Sequence, residues 1–363
     1  MPPTFEVPQE LIDAIVELVD DTNALGTLAT VGTLFIVPCQ RRLFRALTLS
    51  LNPDKRIHPF PAKFSRALAL FTASPHLASY VRQLTIILVR KENPTEDPAD
   101  IGPVLERFVR LRCLVIQGCP MTLGSWANIP QRTVTSLCAV LRRKGSFHSL
   151  ELTTIAGVPT SLLDHAIQSF PGLSMQIVGI SRDDLHPLFP DAASKDNTTS
   201  SLMELSVLEP QFPDRFCDFF LEPHCQNSLR GLQRLELLIA GYAIPHSNRF
   251  LQQSSFTSTL GHLVLVCHEP VFVSSSFVLP LLPALHTLEF RIEFAHPWYR
   301  PRWAHRTVAR IIPQLPGSSP ALETLLLGVR YYAQNDPYCP DPAAGGINFG
   351  FSPAPYPFDS AEH

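Results

Sequence analysis

Leucine and other large apolar residues recur along the chain in the pattern LxxLxL. The clearest copy is Leu232-Gln-Arg-Leu235-Glu-Leu237. The central residue of the clear copies is a leucine: Leu84, Leu114, Leu150, Leu205, Leu235, Leu263, Leu288 and Leu325. Successive central leucines are 25 to 37 residues apart, except for one interval of 55 residues. Residues 170–180 form a degenerate copy inside that long interval, so one repeat runs through most of the chain.

Each copy predicts a short strand with two different faces. Because alternate residues of a strand point to opposite sides, Leu235 and Leu237 are expected to be buried, whereas Arg234, Glu236 and Leu238 point outward. Apolar residues at helical spacing precede several of these strands, in residues 101–109, 133–141 and 162–170. The recurring order of helix, turn and strand predicts an α/β fold of stacked units, since no unit can bury its apolar edge alone.

The repeat resembles the leucine-rich repeat. This resemblance implies an α/β solenoid over residues 50–331, with parallel strands and helical return segments. A parallel α/β sheet enzyme is the competing interpretation, because it also alternates helices with apolar strands. Such enzymes usually have continuous Val/Ile-rich strands and a ligand-binding loop after one of them, and neither is evident in this sequence.

The first 49 residues follow a different, all-helical pattern. Leu11, Ile12 and Ile15 keep helical spacing behind Pro8, a residue typical of a helix start. Residues 21–23 offer a break and an N-cap for a second helix. A third short helix is expected over residues 37–45. Three helices of this size are too small to be stable without neighbours.

The order of short motifs in this helical unit resembles the F-box, in the F-box-like form that fungal proteins often join to leucine-rich repeats. The motifs are Val7-Pro8-Gln-Glu10-Leu11-Ile12 with Ile15, then Leu28-Ala29-Thr-Val31, then Arg41-Arg42-Leu43-Phe44. Phe35 and Gly32 stand where the family usually has Trp and Cys.

The F-box resemblance implies a substrate receptor of an SCF-type, cullin-RING ubiquitin ligase, in which the helical unit docks on the Skp-type adaptor. The residues that it assigns to this contact are Val7, Pro8, Leu11, Ile12, Ile15, Leu28, Val31 and Phe35. The alternative is that these residues only form the internal core of a cap over the open end of the repeat array.

Composition and charge narrow the possible partners and the compartment. Lys and Arg number 29 against 32 Asp and Glu, so the net charge of -3 provides no general attraction to nucleic acid or to an acidic membrane. The 8 cysteines are scattered without a CxxC pair, and the start of the chain lacks a signal peptide. No wholly apolar segment is long enough to cross a bilayer. We expect an intracellular protein, cytoplasmic or nuclear, with no membrane span.

Candidate catalytic and metal-binding residues are few. The motifs GxxxxGK[ST], GxGxxG, GxSxG and HExxH do not occur, so we predict no catalytic residue and no cofactor, and we do not expect an enzyme. A hydrolase or transferase on an α/β sheet is the alternative. Cys217, His224 and Cys225 are close in sequence, but a second pair at zinc-finger spacing is lacking, so no metal site is predicted. Asp183, Asp184 and His186 are expected in a solvated loop.

The binding of a protein substrate is expected on the outward strand positions and on an Arg- and Trp-rich segment at residues 294–310, since aromatic and arginine side chains are enriched at interaction hot spots. The candidate contacts are Glu151, Arg234, Glu236, Glu289, Arg291, Trp298, Tyr299, Arg302 and Trp303. The segment can instead pack on the flank of the repeats or stack single-stranded nucleic acid, which is the least favoured partner.

The remaining residues, 332–363, are rich in Pro, Gly and Tyr and predict a tail or an irregular cap. Together these features predict a non-catalytic adaptor with an unknown protein substrate. The alternative function is a stand-alone leucine-rich-repeat scaffold that binds a protein without a role in ubiquitination.

Overall fold

The computed structural model describes residues 7–50, 62–88, 101–118, 124–143, 147–181, 202–239, 242–268, 277–294 and 308–331. Within them the helices are α1 (Gln9–Glu17), α2 (Thr22–Val31), α3 (Thr33–Arg45), α4 (Phe64–Ala73), α5 (Pro75–Ala78), α6 (Gly102–Leu105), α7 (Gln131–Leu141), α8 (Thr160–Ser169), α9 (Pro213–Phe220), α10 (Pro223–Leu229), α11 (Ile244–Gln253) and α12 (Leu315–Ser318). The strands are β1 (Ala46–Ser50), β2 (Ala62–Lys63), β3 (Gln83–Leu88), β4 (Cys113–Gly118), β5 (Gly124–Ser125), β6 (Ser149–Pro159), β7 (Gly172–Ser181), β8 (Glu204–Leu208), β9 (Arg234–Ile239), β10 (His262–His268), β11 (Thr287–Phe294) and β12 (Thr324–Tyr331).

The strands form one parallel sheet, so the predicted α/β fold with parallel strands is confirmed. The strand order is β12-β11-β10-β9-β8-β7-β6-β4-β3-β1-β2, with the short β5 pairing with β6. Apart from β2 and β5, each strand therefore lies beside its neighbour in the chain. This order is the one expected when successive helix-and-strand units stack in a solenoid-like arrangement.

The central leucines of the repeat face one another across the sheet. Leu235 of β9 pairs with Leu205 of β8 and with Leu263 of β10. The degenerate copy is the strand β7, whose Leu173 pairs with Leu150 and Leu205 and so fills the long interval. The side chains of Leu235 and Leu237 are 0% and 3% exposed, as their spacing predicts.

The strand β1 was not predicted as part of the repeat. Helix α3 ends at Arg45 and continues directly into β1, where Leu47 pairs with Leu84 of β3. The sheet therefore begins inside the segment that we assigned to the helical unit. The division of the chain at residue 49 stays a prediction.

Three helices precede the sheet and share a small core formed by Val16, Leu25 and Cys39. The predicted break is confirmed, because the carboxylate of Asp21 accepts a 2.9 Å hydrogen bond from the backbone N–H of Asn23 at the start of α2. The predicted third helix is too short: α3 begins at Thr33 and includes Pro38. The extended Gly32 alone separates α2 from α3, so the chain turns earlier than the proline suggests.

The return segments vary in length. Helices α7 and α8 occupy the segments predicted as helical, whereas residues 101–109 form only the single turn α6. A continuous core joins the sheet to these helices along the described part of the chain. Within the described residues, none of the helices has the length and apolar content needed to cross a membrane.

Candidate functional site

Apolar side chains are exposed along one side of α1. Val7, Leu11, Ile15 and Leu18 are 47%, 53%, 42% and 84% exposed. Leu11, Ile15 and Leu18 are four and three residues apart, which places them on one face of the helix, and Val7 lies just before the N-cap Pro8. We call these four residues the α1 apolar face. Because water-exposed apolar side chains that form a contiguous patch often mark a protein contact, this face is a candidate docking surface.

The predicted adaptor contacts divide into three groups in the structure. Val7, Leu11, Ile15 and Val31 are exposed, and Pro8 is the exposed N-cap of α1. Leu28 and Phe35 are half-buried against the small core of the three helices. Ile12 is the exception, because its side chain is only 1% exposed and therefore supports helix packing instead of offering a contact surface.

Further exposed apolar side chains of the three helices, among them Leu18 and Leu34, were not predicted as contacts. Leu18 lies three residues after Ile15, so helical spacing alone can identify it as part of the same face. Leu34 is 56% exposed in the first turn of α3, whose start was placed too late in the sequence.

A charged cluster lies on the outward side of the strands β9 and β11. The Arg291 guanidinium donates from Nη1 to Glu236 Oε1 at 2.5 Å and from Nε to Glu289 Oε1 at 2.6 Å. All three side chains are 15–18% exposed. The hydrogen bond from Arg291 to Glu289, together with the positive charge of Arg291, holds the pKa of Glu289 below its usual range. Three of the predicted substrate contacts, Glu236, Glu289 and Arg291, therefore lie together in this cluster.

His262 extends the charged cluster toward Arg234, a fourth predicted contact. The Nδ1 of His262 lies 3.2 Å from Arg234 Nη1, so it accepts a hydrogen bond from the guanidinium. Its Nε2 is buried and lies 3.5 Å from Glu289 Oε2 without hydrogen-bond geometry. Burial first, and the charge of Arg234 second, lower the pKa of His262. The imidazole is therefore neutral at pH 7, which agrees with its role as an acceptor.

Replacing Arg291 tests how far the charged cluster stabilises the fold. Arg291→Met is expected to lower the free energy of unfolding by about 1–3 kcal/mol at pH 7, because Glu236 and Glu289 lose a shared donor. Since the pKa of Glu289 is lowered in the folded protein, this stabilisation is full above the ordinary carboxyl value of 4.5 and is lost as the pH falls through the folded value. Urea titrations across this pH range measure the difference.

The matched control is Arg230→Met, which removes an exposed arginine of α10's C-cap. It should leave the pH dependence of stability unchanged. A constant difference between wild type and Arg291→Met from pH 7 down to pH 3 would contradict the assigned carboxylate pairing.

A groove of about 770 Å³ lies along the amino-terminal ends of strands β6–β11. Its walls include Arg234 and His262 of the charged cluster together with Glu204 and His286. The groove therefore offers polar groups of both signs. A peptide segment is the kind of ligand that such an open, mixed groove can hold.

The remaining predicted contacts lie outside the charged cluster around Arg291. Leu238 points away from the main core as expected, but it is 3% exposed and packs with Val264 and Val266, so it is not available to a partner. Glu151 lies on β6 and accepts a 3.4 Å hydrogen bond from Cys113 Sγ. The other candidates lie outside the described residues: Trp298, Tyr299, Arg302, Trp303, Asp183, Asp184 and His186.

The three donors considered for a metal are not together. Cys217 Sγ donates to the carbonyl of His246 at 3.6 Å, whereas His224 and Cys225 meet Asp164 of α8. Asp164 precedes His224 by 60 residues, so no local spacing in the sequence points to this meeting. Only the stacking of α8 beside α10 brings the three side chains to one place.

In comparisons with known proteins, no family model matches this chain and no curated sequence is significantly similar to it.

Proposed function

We propose that this protein is the substrate receptor of an SCF-type, cullin-RING ubiquitin ligase, with an F-box-like helical unit and a leucine-rich-repeat solenoid. The helical unit docks on the Skp-type adaptor, and the repeats hold a protein substrate. The protein itself then carries out no covalent chemistry. It accelerates ubiquitin transfer by bringing the substrate close to the charged conjugating enzyme.

The α1 apolar face is the observation that carries the docking half of the proposal. Ile12 and Val16, about 100° around α1 from Leu11 and Ile15, are each 1% exposed, so the helix is already anchored without the apolar face. A cap that only closed the end of the repeats would bury its apolar residues inward. The exposure of Leu11 and Ile15 instead favours a partner that covers them.

The register of the leucines supports the repeat half of the proposal. Leucine stands at the central position of nine consecutive paired strands from β3 to β12, leaving out the short β5, and the side chains at this position pack into the main core from β3 to β11. Polar residues alternate with them on the outward side, where the charged cluster and the adjoining groove lie. Several rungs can therefore contact one substrate at once, as on other repeat surfaces.

A retention experiment with a purified Skp-type adaptor tests the docking. The double variant Leu11→Asp/Ile15→Asp changes two exposed residues and leaves Ile12 in place, so the helical unit should still fold. Each of these side chains is worth about 1.5–3 kcal/mol when fully buried. We therefore expect the affinity for the adaptor to fall at least roughly tenfold, as measured by biolayer interferometry.

Val109→Asp is the control, since Val109 is 67% exposed but lies outside the three helices. It should bind the adaptor like the wild type, and circular dichroism should show equal folding of all three proteins. If the wild type does not bind the adaptor, the ubiquitin-ligase role is wrong and the stand-alone scaffold becomes the better explanation. Equal binding by the double variant would exclude the α1 apolar face as the contact.

A further inference from the structure

Three metal-ligating side chains from two return helices converge on one point. His224 Nε2 lies 2.7 Å from Asp164 Oδ1 and 3.3 Å from Cys225 Sγ. The third edge of the triangle, from Cys225 Sγ to Asp164 Oδ1, measures 3.8 Å. The side chain of Cys225 is completely buried, whereas those of Asp164 and His224 are 25% and 44% exposed, so the thiol forms the floor and solvent can reach the opening.

Hydrogen bonds link the three side chains of this triangle, but the one from the thiol is long. The single proton on His224 Nε2 can be donated to Asp164 or to Cys225, and the 2.7 Å distance assigns it to Asp164. The thiol of Cys225 then donates to the same carboxylate oxygen over a long distance of 3.8 Å. A cation at the centre would instead use one lone pair from each of the three atoms.

The distances are close to those of a tetrahedral zinc site. Zn–N and Zn–O bonds of about 2.0–2.1 Å and a Zn–S bond of about 2.3 Å require ligand atoms roughly 3.3–3.6 Å apart. Two edges of the triangle already lie within a few tenths of an ångström of this range, and only Asp164 and His224 must move apart, by roughly half an ångström. Both are partly exposed, so this movement meets little resistance.

The second nitrogen of His224 points to the same interpretation. Its Nδ1 lies 3.5 Å from Glu222 Oε2. Histidines that bind metal through one ring nitrogen usually donate the other N–H to a carboxylate, which orients the ring. By contrast, a Cys-His-Asp catalytic triad needs the acid on the nitrogen that does not face the thiol. Glu222 stands on that nitrogen, but Asp164 accepts the Nε2–H at 2.7 Å and the Cys225 thiol is completely buried. His224 is therefore not placed to deprotonate an accessible thiol, which argues against nucleophilic catalysis.

We propose that Asp164, His224 and Cys225 form a binding site for a divalent, borderline-soft cation such as Zn²⁺, with Glu222 orienting His224. The thiol binds as thiolate and its proton passes to solvent. Three protein ligands leave a fourth position for water or for a donor from a partner. The site lies on α8 and α10, not on the α1 apolar face, so it does not depend on the proposed adaptor docking.

A cobalt titration of the full-length, reduced protein after chelator treatment tests the proposal. Co²⁺ is expected to bind at one equivalent per chain and to give both a thiolate-to-cobalt charge-transfer band and the visible bands of tetrahedral cobalt, which Zn²⁺ then removes. Cys225→Ser should abolish the charge-transfer band. Cys217→Ser is the matched control, because Cys217 is equally buried but donates to a carbonyl elsewhere, and it should keep the band.

Two further variants keep the test decisive if Cys225→Ser fails to fold. His224→Gln changes a partly exposed ring and should weaken cobalt binding at least roughly tenfold, whereas Glu222→Ala keeps all three ligands and should weaken it by about tenfold. Thermal denaturation of the metal-free proteins shows whether each variant is folded. A charge-transfer band that persists in Cys225→Ser, or binding that His224→Gln leaves unchanged, overturns the site, as does a wild type that binds no cobalt.

Discussion

Gly118→Ala is expected to destabilise the protein by more than about 3 kcal/mol, well above the usual effect of adding one methyl group. Gly118 ends β4, and a Cβ built on it would lie 1.9 Å from the carbonyl oxygen of Thr154 and 2.9 Å from its carbonyl carbon. Both atoms belong to the backbone, so no side-chain rotation can relieve the clash. The strands β4 and β6 would have to separate.

The surroundings of Gly118 offer little room for that separation. Thr154 has a φ of 57°, a left-handed conformation that non-glycine residues rarely adopt, and the pairing of β6 with β7 shifts register just beyond it. Thr153 pairs with Gln117, and Ile155 pairs with Gly124 of β5. The carbonyl of Thr154 is therefore held from both sides, directly against the glycine.

Gly26→Ala is the matched control for this prediction. Gly26 lies in α2, and an added Cβ would meet no atom within 4 Å. Because alanine favours a helix over glycine, this variant should be about 0.5–1 kcal/mol more stable than the wild type. Urea-induced unfolding followed by circular dichroism measures both changes. Equal stability of Gly118→Ala and the wild type would mean that β4 and β6 do not approach as closely as described.

Phe250→Ala is expected to lower the free energy of unfolding by about 3–5 kcal/mol. The ring of Phe250 is 0% exposed on α11, and its centroid lies 5.5 Å from that of Phe216 and 5.3 Å from that of Phe256. Phe220 completes the contacts at 6.1 Å. Alanine would leave a cavity among rings that belong to different return segments and cannot all move into it.

Phe212→Ala is the control for the aromatic cluster. The Phe212 ring is 47% exposed and its described ring contact is the guanidinium of Arg215, 4.8 Å from its centroid. Losing that exposed cation–π contact should change stability by about 1 kcal/mol or less. The same urea titration compares both variants. A loss below about 1 kcal/mol for Phe250→Ala would show that the cluster is loosely packed.

Much of the fold follows from local patterns. The period of the leucines predicts the strands, because each strand must turn its leucine-bearing side toward a core shared with its neighbours. Helix α8 could be predicted for a similar reason, since its apolar residues lie at helical spacing and Pro171 follows it closely. The exposed side of α1 is also visible in the sequence, although Ile12 was placed on it and lies inside.

Features that depend on a neighbouring unit could not be predicted in this way. The residues of β1 directly follow α3, and their apolar positions alone do not distinguish a strand from the end of a helix. Only the pairing of β1 with β3 identifies it as part of the sheet. Arg291 and Glu236 are 55 residues apart and meet because β9, β10 and β11 lie side by side in register. Nothing in the local sequence states which outward residues will neutralise one another.

The candidate metal ligands show most clearly the difference between what the sequence determines and what the tertiary structure determines. The periodic apolar residues can be read from the amino-acid sequence, and their burial favours a stacked parallel sheet. The meeting of Asp164 with His224 and Cys225 depends on the tertiary structure, because it requires α8 to lie beside α10 at a particular distance. Hydrophobic burial is non-directional and does not specify which polar side chains lie on the outside. The contacts between polar side chains therefore depend on how the units stack.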